Sequence, residues 1–378
     1  MQQVGQPRAG EDLSMEIDVL FGSERDMSFL SLVRHLPKRF TAKSYKHEWR
    51  DDALHYESIS LTASGDAADW DTNNDISDLP CAAAECAKLR VGDILKLTTG
   101  ELVRVSAIDS TAETIDLDAR GHGLTTAAAQ GEAAFTAYIV GHAASDGADP
   151  SDEFYRAPSE KYNYVQILER VIGIGGYVMR SKTSRESERA RQRKIALKSL
   201  LSQLNYAMWE GYLEADTTND VYTMRGLREA ASNTYNINGA LTVAKVYAEV
   251  EAMINAGGTP SAIHGHPTVI GRLEQLMSAY VTSGVSEYNA KLTVKKISMH
   301  GLDIELHADR HCVNTELWVL DYSRLSYGPL SSDEVSGEFT AVTIEENRNQ
   351  IKEQIEGFYT LEDRQAAAAI VRGYGCTS

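Results

Sequence analysis

The sequence has few cysteines and no long apolar run. The first argues against a cysteine-based zinc site, and the second argues against a membrane-spanning protein. Its cysteines are Cys81, Cys86, Cys312 and Cys376, and no two of them form a CxxC pair, so their spacing matches no usual zinc signature. We expect reduced, mostly buried thiols. No stretch reaches the roughly 18 apolar residues of a membrane span. The first residues, MQQVGQPRAGEDL, lack a basic segment followed by an apolar run, so we expect a protein made and kept in a cytosol, without membrane contact.

Positive charge is also scarce. The 378 residues include 37 Lys and Arg against 54 Asp and Glu, which gives a formal net charge of -17. A chain this acidic repels phosphate, so the electrostatic field of the whole protein argues against general binding of nucleic acid. A local basic stripe can still form. The hydrophobic share of 43% is that of an ordinary globular protein, and the length is sufficient for two or more cores.

Familiar catalytic motifs are missing too, since the sequence contains no GxSxG, HExxH or paired-glycine Rossmann pattern. The nearest approach to a phosphate loop is GIGGYVMRSKTS, residues 173–184, which ends at Lys182 and Thr183. With Gly176 as the first glycine of the loop, Ser181 occupies the position where the second glycine is required. The pattern therefore favours a flexible bend, and a nucleotide-binding enzyme using residues 173–184 is kept as an alternative.

Two histidines in an HGHP turn, His264 and His266, are the nearest approach to a metal site in the sequence. Two imidazoles do not complete a site, and no nearby Asp, Glu or Cys has a spacing that would add a third ligand. A surface or capping role is the better prediction. We therefore expect no catalytic residue, no metal and no cofactor.

The amino-terminal part of the chain has one apolar cluster, between Met27 and Phe40. It contains Phe29, Leu30, Leu32, Val33 and Leu36, which predict one side of a short helix that ends before Pro37. Residues 1–40 are interpreted as an arm that lies on another part of the structure. A disordered or locally packed terminus is the alternative for the first twenty residues.

The next segment, YKHEWRDDALHYESISL (45–61), alternates in the way strands do. Tyr45, His47 and Trp49 share one alternation, and Leu54 and Tyr56 share another across Asp51 and Asp52, which predicts a hairpin with a polar tip. Large aromatic residues on such a hairpin need another protein surface to bury them. A second chain would supply it, and an ordinary sheet within the chain is the alternative.

Residues 88–140 form a distinct block of short alternating runs, separated by Gly, Asp and Thr at close spacing. Many short strands joined by tight turns predict a small β-barrel or β-sandwich module. We interpret this module as an insertion carried by the main fold.

The strongest helix prediction covers residues 184–213. Leu197, Leu201, Leu204 and Met208 are spaced four, three and four apart, with Leu200 alongside, and form one apolar stripe. Thr183 or Ser184 can cap the start, and Gly211 lies near the end.

The first half of the helix is basic, with Arg185, Arg189, Arg191, Arg193, Lys194 and Lys198. This stripe predicts contact with an acidic neighbour or with DNA, and a solvated helix face is the alternative.

The remaining chain mixes helices and strands. Amphipathic helices are predicted at 241–255 and 267–280, a short strand around Ile263, and strands at 291–299, 302–307, 316–320 and 339–344. Because these elements follow no regular βαβ repeat, the order predicts an α+β fold rather than a doubly wound sheet.

The order of these blocks resembles the major capsid proteins of tailed bacteriophages with the Hong Kong 97 type fold, and in particular a subfamily with an inserted β-module. The residues that carry the resemblance are HEWRDDAL with Trp49, Asp52 and Leu54, VGDILKL with GELVRV, NYVQI at 163–167, and the last segment from EENRNQ onward. Each motif is short, and their order spans nearly the whole chain.

The resemblance implies a division of the chain into six parts. These are an arm (1–40), an extended hairpin loop (41–87), an inserted β-module (88–143), a peripheral domain with a spine helix (144–225), an axial domain (226–325) and a return segment (326–378). Loop residues Trp49, Asp52, Leu54 and Tyr56 are expected to contact a neighbouring subunit.

The resemblance further implies a homo-oligomer of hexamers and pentamers that forms an icosahedral head in the virion, after assembly in the host cytoplasm. Its implied partners are portal, scaffold and decoration proteins, with non-specific double-stranded DNA at the inner face. The scaffold is expected to be a separate protein, since no long amino-terminal helical segment is seen. The alternative with the same fold is an encapsulin-like shell around an enzyme cargo, against which the loop, the insertion and the length argue.

Overall fold

The computed structural model describes residues 11–12, 29–52, 58–62, 76–118, 121–123, 125, 134–142, 158–177, 188–277, 281–285, 293–332, 336–347 and 349–377. The chain forms two compact units. The first contains Met1–Asp51 together with Ser159–Ser378, and the second contains Asp52–Pro158.

The helices are short, with the exception of α3. They are α1 (Ser31–His35), α2 (Ala83–Cys86), α3 (Glu188–Glu210), α4 (Leu227–Ala230), α5 (Val243–Asn255), α6 (Pro267–Leu276) and α7 (Ala366–Ala369). None of the helices in the described ranges combines the length and hydrophobicity needed to cross a membrane. All four cysteines are free and buried, as the sequence predicts.

The strands of the first unit are β1 (Glu11–Asp12), β2 (Lys46–Asp51), β9 (Ser159–Tyr164), β10 (Gln166–Gly175), β11 (Glu214–Asp216), β12 (Val221–Thr223), β13 (Asn233–Ala240), β14 (Ala262–Gly265), β15 (Val281–Val285), β16 (Thr293–Met299), β17 (Leu302–Ala308), β18 (Leu317–Leu320), β19 (Leu325–Pro329), β20 (Thr340–Asn347), β21 (Gln350–Asp363) and β22 (Ile370–Thr377). Those of the second unit are β3 (Ser58–Thr62), β4 (Ile76–Pro80), β5 (Asp93–Lys96), β6 (Leu102–Asp109), β7 (Thr114–Asp118) and β8 (Ala134–His142).

One layer of the first unit is a sheet in the order β1-β20-β21-β10, with β19 also paired to β21. Helix α3 packs on this sheet through its apolar stripe, and Leu197, Leu200, Leu201, Leu204 and Met208 are all at most 1% exposed. The periodicity of the sequence therefore predicted the buried face correctly. These side chains share a core with residues of β10 and β21, including Leu168, Ile172 and Ile355.

Helix α3 ends at Glu210, three residues before the predicted end at 213. The reason is a close backbone approach: a side chain at Gly211 would meet the carbonyl oxygens of Met224 and Ala207. The amide of Gly226 also donates to the carbonyl of Gly211 at 2.9 Å. The chain thus turns where only glycine fits.

The predicted hairpin at 45–61 is wrong. Strand β2 pairs antiparallel with β9, in a register that places Asp51 opposite Ser159, and β3 pairs with β8. The chain leaves β2 at Asp51 to enter the second unit and returns at Ser159 to complete the ladder. The polar pair Asp51 and Asp52 therefore marks a boundary between two units instead of the tip of a turn.

The second sheet of the first unit has the order β13-β22-β18-β14-β17-β16-β15. Its β13–β22 and β14–β17 pairs are parallel and the others are antiparallel. Helices α5 and α6 cover a separate core that includes Val246, Val250, Leu273, Ile304 and Val319. Helices and strands follow one another in mixed order, so the predicted mixture of α and β structure is confirmed.

The second unit contains one sheet, in the order β3-β8-β5-β6-β7-β4. Its core includes Leu61 and Leu79 from the predicted loop segment 41–87, and Leu95, Val103 and Leu117 from the predicted module 88–143. Because strands from both segments share one sheet and one core, the boundary predicted at residue 88 does not separate two folded parts.

Helix α5 buries a carboxyl group, that of Glu249, beside Gly373 of β22. Burial raises the pKa of Glu249 well above its usual range, and the nearby backbone amide of Gly373 lowers it by a smaller amount. The folded state therefore keeps this carboxyl protonated at a pH where the unfolded chain releases the proton. The contribution of this carboxyl group to the free energy of unfolding is fully present below the unfolded pKa of about 4.3. It is lost as the pH rises toward the folded pKa.

We expect Glu249→Gln to remove this loss, because the amide is neutral at every pH. In urea unfolding, the variant and the wild type should be close in stability at pH 4, and the variant should be more stable at pH 8. The exposed Glu251→Gln on the same helix is the matched control and should show no such divergence. Parallel stability curves for Glu249→Gln and the wild type across this pH range would contradict the assignment.

Candidate functional site

The basic residues of α3 do not form one free stripe. Arg189 and Arg193 both bind Glu353 of β21: Arg189 Nε donates to Oε1 at 2.5 Å, and Arg193 Nε donates to Oε2 at 2.7 Å. The Glu353 side chain is 1% exposed. Spaced four residues apart, the two arginines share a helix face that lies over β21. Both arginines are therefore paired with an acid of their own chain, and their contact with a neighbour or with DNA stays a prediction.

The other members of the predicted stripe are placed differently. Arg191 pairs with Glu188 one turn earlier, with Nε to Oε2 at 2.9 Å. Lys194 is half-buried, Lys198 is half-buried as well, and both have interactions of their own. Arg185 lies outside the described residues. A role for these residues in binding a partner stays a prediction.

Glu353 has opposing influences on its protonation. Burial would raise its pKa, but hydrogen bonds from Arg193 and Arg189 outweigh burial, so the pKa of Glu353 is lowered. An acid with a lowered folded pKa contributes stability above its unfolded pKa, about 4.3, and this contribution is lost as the pH falls through the folded value.

We expect Glu353→Gln to lower the free energy of unfolding by about 1–2 kcal/mol at pH 7, because the charged hydrogen bonds from Arg189 and Arg193 to the carboxylate are lost. The loss is limited, since the partly exposed Arg189 can turn to solvent. The difference from the wild type should shrink as the pH falls below about 4. Urea unfolding at several pH values measures this. Glu188→Gln, which affects only the solvent-facing contacts of Glu188 with Arg191 and Gln192, is the control and should change little. A pH-independent difference for Glu353→Gln would contradict the ion-pair account.

Trp49, predicted to contact a neighbouring subunit, is 6% exposed within its own unit. Its Nε1 donates to the carbonyl oxygen of Asp363 at 3.1 Å. The carboxylate of Asp51 accepts from the amide of Gln365 at 2.9 Å and binds Lys161 Nζ at 3.0 Å. An intramolecular sheet thus covers Trp49, as the alternative interpretation held. Asp52 is exposed, and Leu54 and Tyr56 lie outside the described residues.

A cluster of tyrosines, which the sequence interpretation missed, lies on the surface of the first unit. Ring centroids are 5.0 Å apart for Tyr45 and Tyr222, 5.4 Å for Tyr164 and Tyr222, and 5.6 Å for Tyr162 and Tyr164. Tyr45 is 54% exposed. We call these four residues the tyrosine surface. The alternating YNY of β9, residues 162–164, is the local pattern that indicates it.

A groove of about 430 Å³ lies at the carboxyl end of α3. Its lining includes Leu168, Gln203, Tyr206, Tyr212 and Thr223, and Thr223 directly follows Tyr222 of the tyrosine surface. Tyr206 and Tyr212 are 52% and 65% exposed. Large exposed aromatic side chains beside a groove are typical of surfaces that bind another protein.

A buried polar network centred on Asp309 joins α1, α3 and the end of β17. Oδ2 of Asp309 accepts from the amide of Ser31 at 2.8 Å, Ser31 Oγ at 2.7 Å, Asn205 Nδ2 at 2.9 Å and Trp209 Nε1 at 3.0 Å. Oδ1 accepts from the amide of His311 at 2.8 Å. Asp309 and Asn205 are 0% exposed. We call this set the Asp309 network.

Asn205 extends the network to the start of α1. Its Oδ1 accepts from the amides of Leu32 and Val33 at 3.1 and 3.2 Å, where a helix leaves its first amides without partners. A side chain of the long helix thus caps the short one. The short helix at 31–35, predicted from its apolar residues, is thereby fixed to α3.

Ser31 and His264 combine the residue types of a nucleophile and a base, with Ser31 Oγ 2.8 Å from His264 Nδ1. Their arrangement differs from that of a hydrolase, because the carboxylate of Asp309 binds the serine and Tyr322 OH, 2.6 Å away, binds the far nitrogen of the histidine. Ser31 is 1% and His264 0% exposed, so no substrate reaches them. The pair is part of the Asp309 network, and it corrects the predicted surface role of His264. His266 does cap α6, as predicted.

His264 also lies beside two further buried histidines. Its ring centroid is 5.0 Å from that of His307, and the rings of His307 and His35 stack with centroids 3.8 Å apart. Burial lowers the pKa of each of these three histidines, and for His35 and His264 repulsion from His307 adds to the effect. The imidazoles are therefore neutral at pH 7.

Residues 173–176 do not form the start of a phosphate loop. Strand β10 runs through Gly175 and pairs with β21, with Gly173 opposite Lys352 and Gly175 opposite Gln350. The amide of Gly176 donates to the carbonyl of Asn349 at 2.5 Å, so it is not available to a phosphate. Lys182 and Thr183 lie outside the described residues.

Comparison with known proteins gives one match over nearly the whole chain. The family model of the SU10 major capsid protein matches residues 2–374. No curated protein matches the chain.

Several solved structures are similar at low identity. The Cyanophage A-1(L) capsid is 13% identical with a TM-score of 0.45, covering 64% of this chain and 85% of its own. The Microbacterium phage Oxtober96 structure is 11% identical with a TM-score of 0.40, covering 79% and 91%. The SrpI encapsulin of Synechococcus elongatus is 12% identical with a TM-score of 0.43, covering 59% and 77%.

Proposed function

This chain belongs to the SU10 major capsid protein family, and from that premise we propose that it is the repeating subunit of an icosahedral bacteriophage head. The match over residues 2–374 is the observation that carries the proposal. The subunits adopt the Hong Kong 97 type fold, form hexamers and pentamers, assemble in the host cytoplasm and enclose double-stranded DNA. The chain acts by assembly and carries out no chemistry.

The first unit supplies a rigid body for such a shell. Asp309 and Asn205 tie α1 to α3, and the Glu353 ion pairs tie α3 to β21. These contacts join residues far apart in the sequence, so the body resists bending when neighbours press on it. A shell needs this property, because many weak contacts per subunit add up only if the geometry of each subunit is constant.

The tyrosine surface and the adjoining groove are the contact site we assign to a neighbouring subunit on the first unit. Tyrosine is enriched among residues that dominate binding energy at interfaces, since it offers a large apolar area and a polar tip. On the second unit, the contact residues are Asp52, Leu54 and Tyr56, as the family resemblance implies.

Contact with DNA is weak and non-specific under this proposal. The chain has a net charge of -17, and Arg189 and Arg193 both form ion pairs with Glu353. Lys194 and Lys198 of α3, together with Arg185, are the residues we propose for contact with phosphate at the inner face. Portal, scaffold and decoration proteins complete the particle as separate chains.

Assembly of the chain tests the proposal. We expect the purified protein to sediment as a discrete large particle or as capsomer rings. The double variant Tyr45→Ser, Tyr162→Ser should reduce the assembled fraction at least about tenfold. A tenfold reduction corresponds to two contact residues that together contribute about 1.4 kcal/mol to binding. Tyr177→Ser is the matched control, since Tyr177 is 94% exposed and outside the tyrosine surface.

Two results of the same measurement would count against the proposal. Monomers under all assembly conditions would contradict a shell subunit, and unchanged assembly of the double variant would remove the tyrosine surface from the interface. A nucleotide-binding enzyme would instead show saturable ATP binding that is lost in Lys182→Ala.

A further inference from the structure

We propose that His35, Glu305 and His307 form a binding site for a divalent transition-metal ion such as Zn²⁺. His35 is the last residue of α1, and Glu305 and His307 are neighbours on one face of β17. All three side chains are buried, with exposed fractions of 8%, 8% and 5%. The three possible ligand atoms lie within 4.8 Å of one another.

Two of the three ligand atoms already have the spacing of a coordination site. Bonds of 2.0–2.1 Å in a tetrahedral site place neighbouring ligand atoms about 3.4 Å apart. His307 Nε2 and Glu305 Oε2 are 3.2 Å apart. The strand supplies this pair without rearrangement, because residues two apart on a strand point to the same side.

His35 supplies the third ligand after a small movement. Its ring stacks on that of His307, with an angle of 24° between the planes, so the nitrogen lone pairs of the two rings lie in nearly parallel planes. Metal binding therefore exchanges this ring stack for two bonds that converge on one ion, which requires the His35 ring to turn. Its ring nitrogens have no hydrogen bond to another described residue, so none is lost when it turns.

The donor set selects the class of ion. Two imidazoles and one carboxylate suit Zn²⁺, Co²⁺ or Ni²⁺, whereas Mg²⁺ and Ca²⁺ prefer oxygen ligands. Three protein ligands leave a fourth position for water. His264 is not a fourth ligand, because its nitrogens bond Ser31 and Tyr322.

Two cations beside the cluster limit its affinity. Lys296 Nζ is 3.5 Å from the other oxygen of Glu305, and Arg34 is close enough to influence His35 and His307. We therefore expect weaker binding than at a structural site with four protein ligands. An ion held here would link α1 to β17, two elements far apart in the sequence, and would stabilise the first unit in proportion to its occupancy.

The test uses the full-length chain, dialysed against a chelator and titrated with Zn²⁺ by calorimetry, with the bound metal counted by elemental analysis. We expect one ion per chain, a rise in Tm with Zn²⁺ and visible absorption of tetrahedral Co²⁺ when Co²⁺ replaces Zn²⁺. In His35→Gln and Glu305→Gln, we expect Kd to rise at least about 100-fold, since loss of a direct ligand exceeds the 10–100-fold effect of outer partners.

His266→Asn is the matched control, because asparagine can cap α6 as the histidine does and the residue lies outside the cluster. It should bind Zn²⁺ as the wild type does. Circular dichroism of each variant shows whether it is folded, and two conservative replacements ensure that one misfolded variant does not decide the result. Absence of stoichiometric Zn²⁺ in the wild type, or unchanged Zn²⁺ binding in both folded ligand variants, would overturn the proposal.

Discussion

Replacing Asp309 by alanine is expected to lower the free energy of unfolding of the first unit by about 4 kcal/mol or more, the largest stability effect we predict for a single substitution. The carboxylate accepts five hydrogen bonds, and its removal leaves the buried amide of Ser31 and Nε1 of Trp209 without their acceptor, while Asn205 Nδ2 keeps only its contact with His311 Nδ1. Each buried donor left unpaired costs about 1–3 kcal/mol, and the costs are not fully additive.

The measurement is urea unfolding of unassembled subunits, followed by limited proteolysis around α1. Asp303→Ala is the matched control, since Asp303 is an exposed aspartate on β17 that bonds only Ser298 among the described residues. Its effect should stay within about 1 kcal/mol. Equal effects of the two substitutions would mean that the Asp309 network does not hold α1 and α3 together.

Replacing residues 52–158 by a two-residue Asn-Gly turn is expected to abolish closed particles while leaving the first unit folded. Asp51 and Ser159 are direct partners in the β2–β9 ladder, so a type I′ turn can join them without moving either strand. The core of the first unit contains no residue of the removed segment. The removed segment includes Asp52, Leu54 and Tyr56, the contacts proposed on the second unit, and a shell that depends on many weak contacts fails when one set is missing.

Folding and assembly are measured separately for this shortened chain. Circular dichroism and urea unfolding should show a cooperative first unit, and sedimentation velocity should show no closed particle. A mixture with the full-length chain is a further control, because a shortened subunit should be left out of the particles. Closed particles formed by the shortened chain alone would contradict a role of the second unit in assembly.

Local patterns in the sequence predicted two kinds of feature: caps whose hydrogen-bond partner is close in sequence, and helix faces that are buried because they are apolar. The stripe from Leu197 to Met208 specifies a buried helix face whatever it packs on, and the capping role of His266 depends only on the next turn. The short helix before Pro37 was likewise predicted from its own residues. In each case the pattern that predicts the element lies within a short stretch of sequence.

Pairings across the chain were not predictable in the same way. The partner of β2 is β9, which follows the whole second unit, and a local alternation pattern gives no information about it. Arg189 and Glu353 are 164 positions apart, and Ser31 and Asp309 are 278 apart. The basic stripe and the isolated HGHP motif therefore suggested surface roles, whereas the folded chain supplies an acid for the arginines and a serine and a tyrosine for His264. His35 and His307 are brought together by the same long-range folding.

The central claim is that the chain builds a closed shell, and electron microscopy of the purified, full-length protein tests it most directly. The account predicts closed icosahedral particles, or rings of five and six subunits, in which image averaging resolves fivefold and sixfold positions. Dispersed single subunits under every assembly condition, with circular dichroism showing that they are folded, would contradict it.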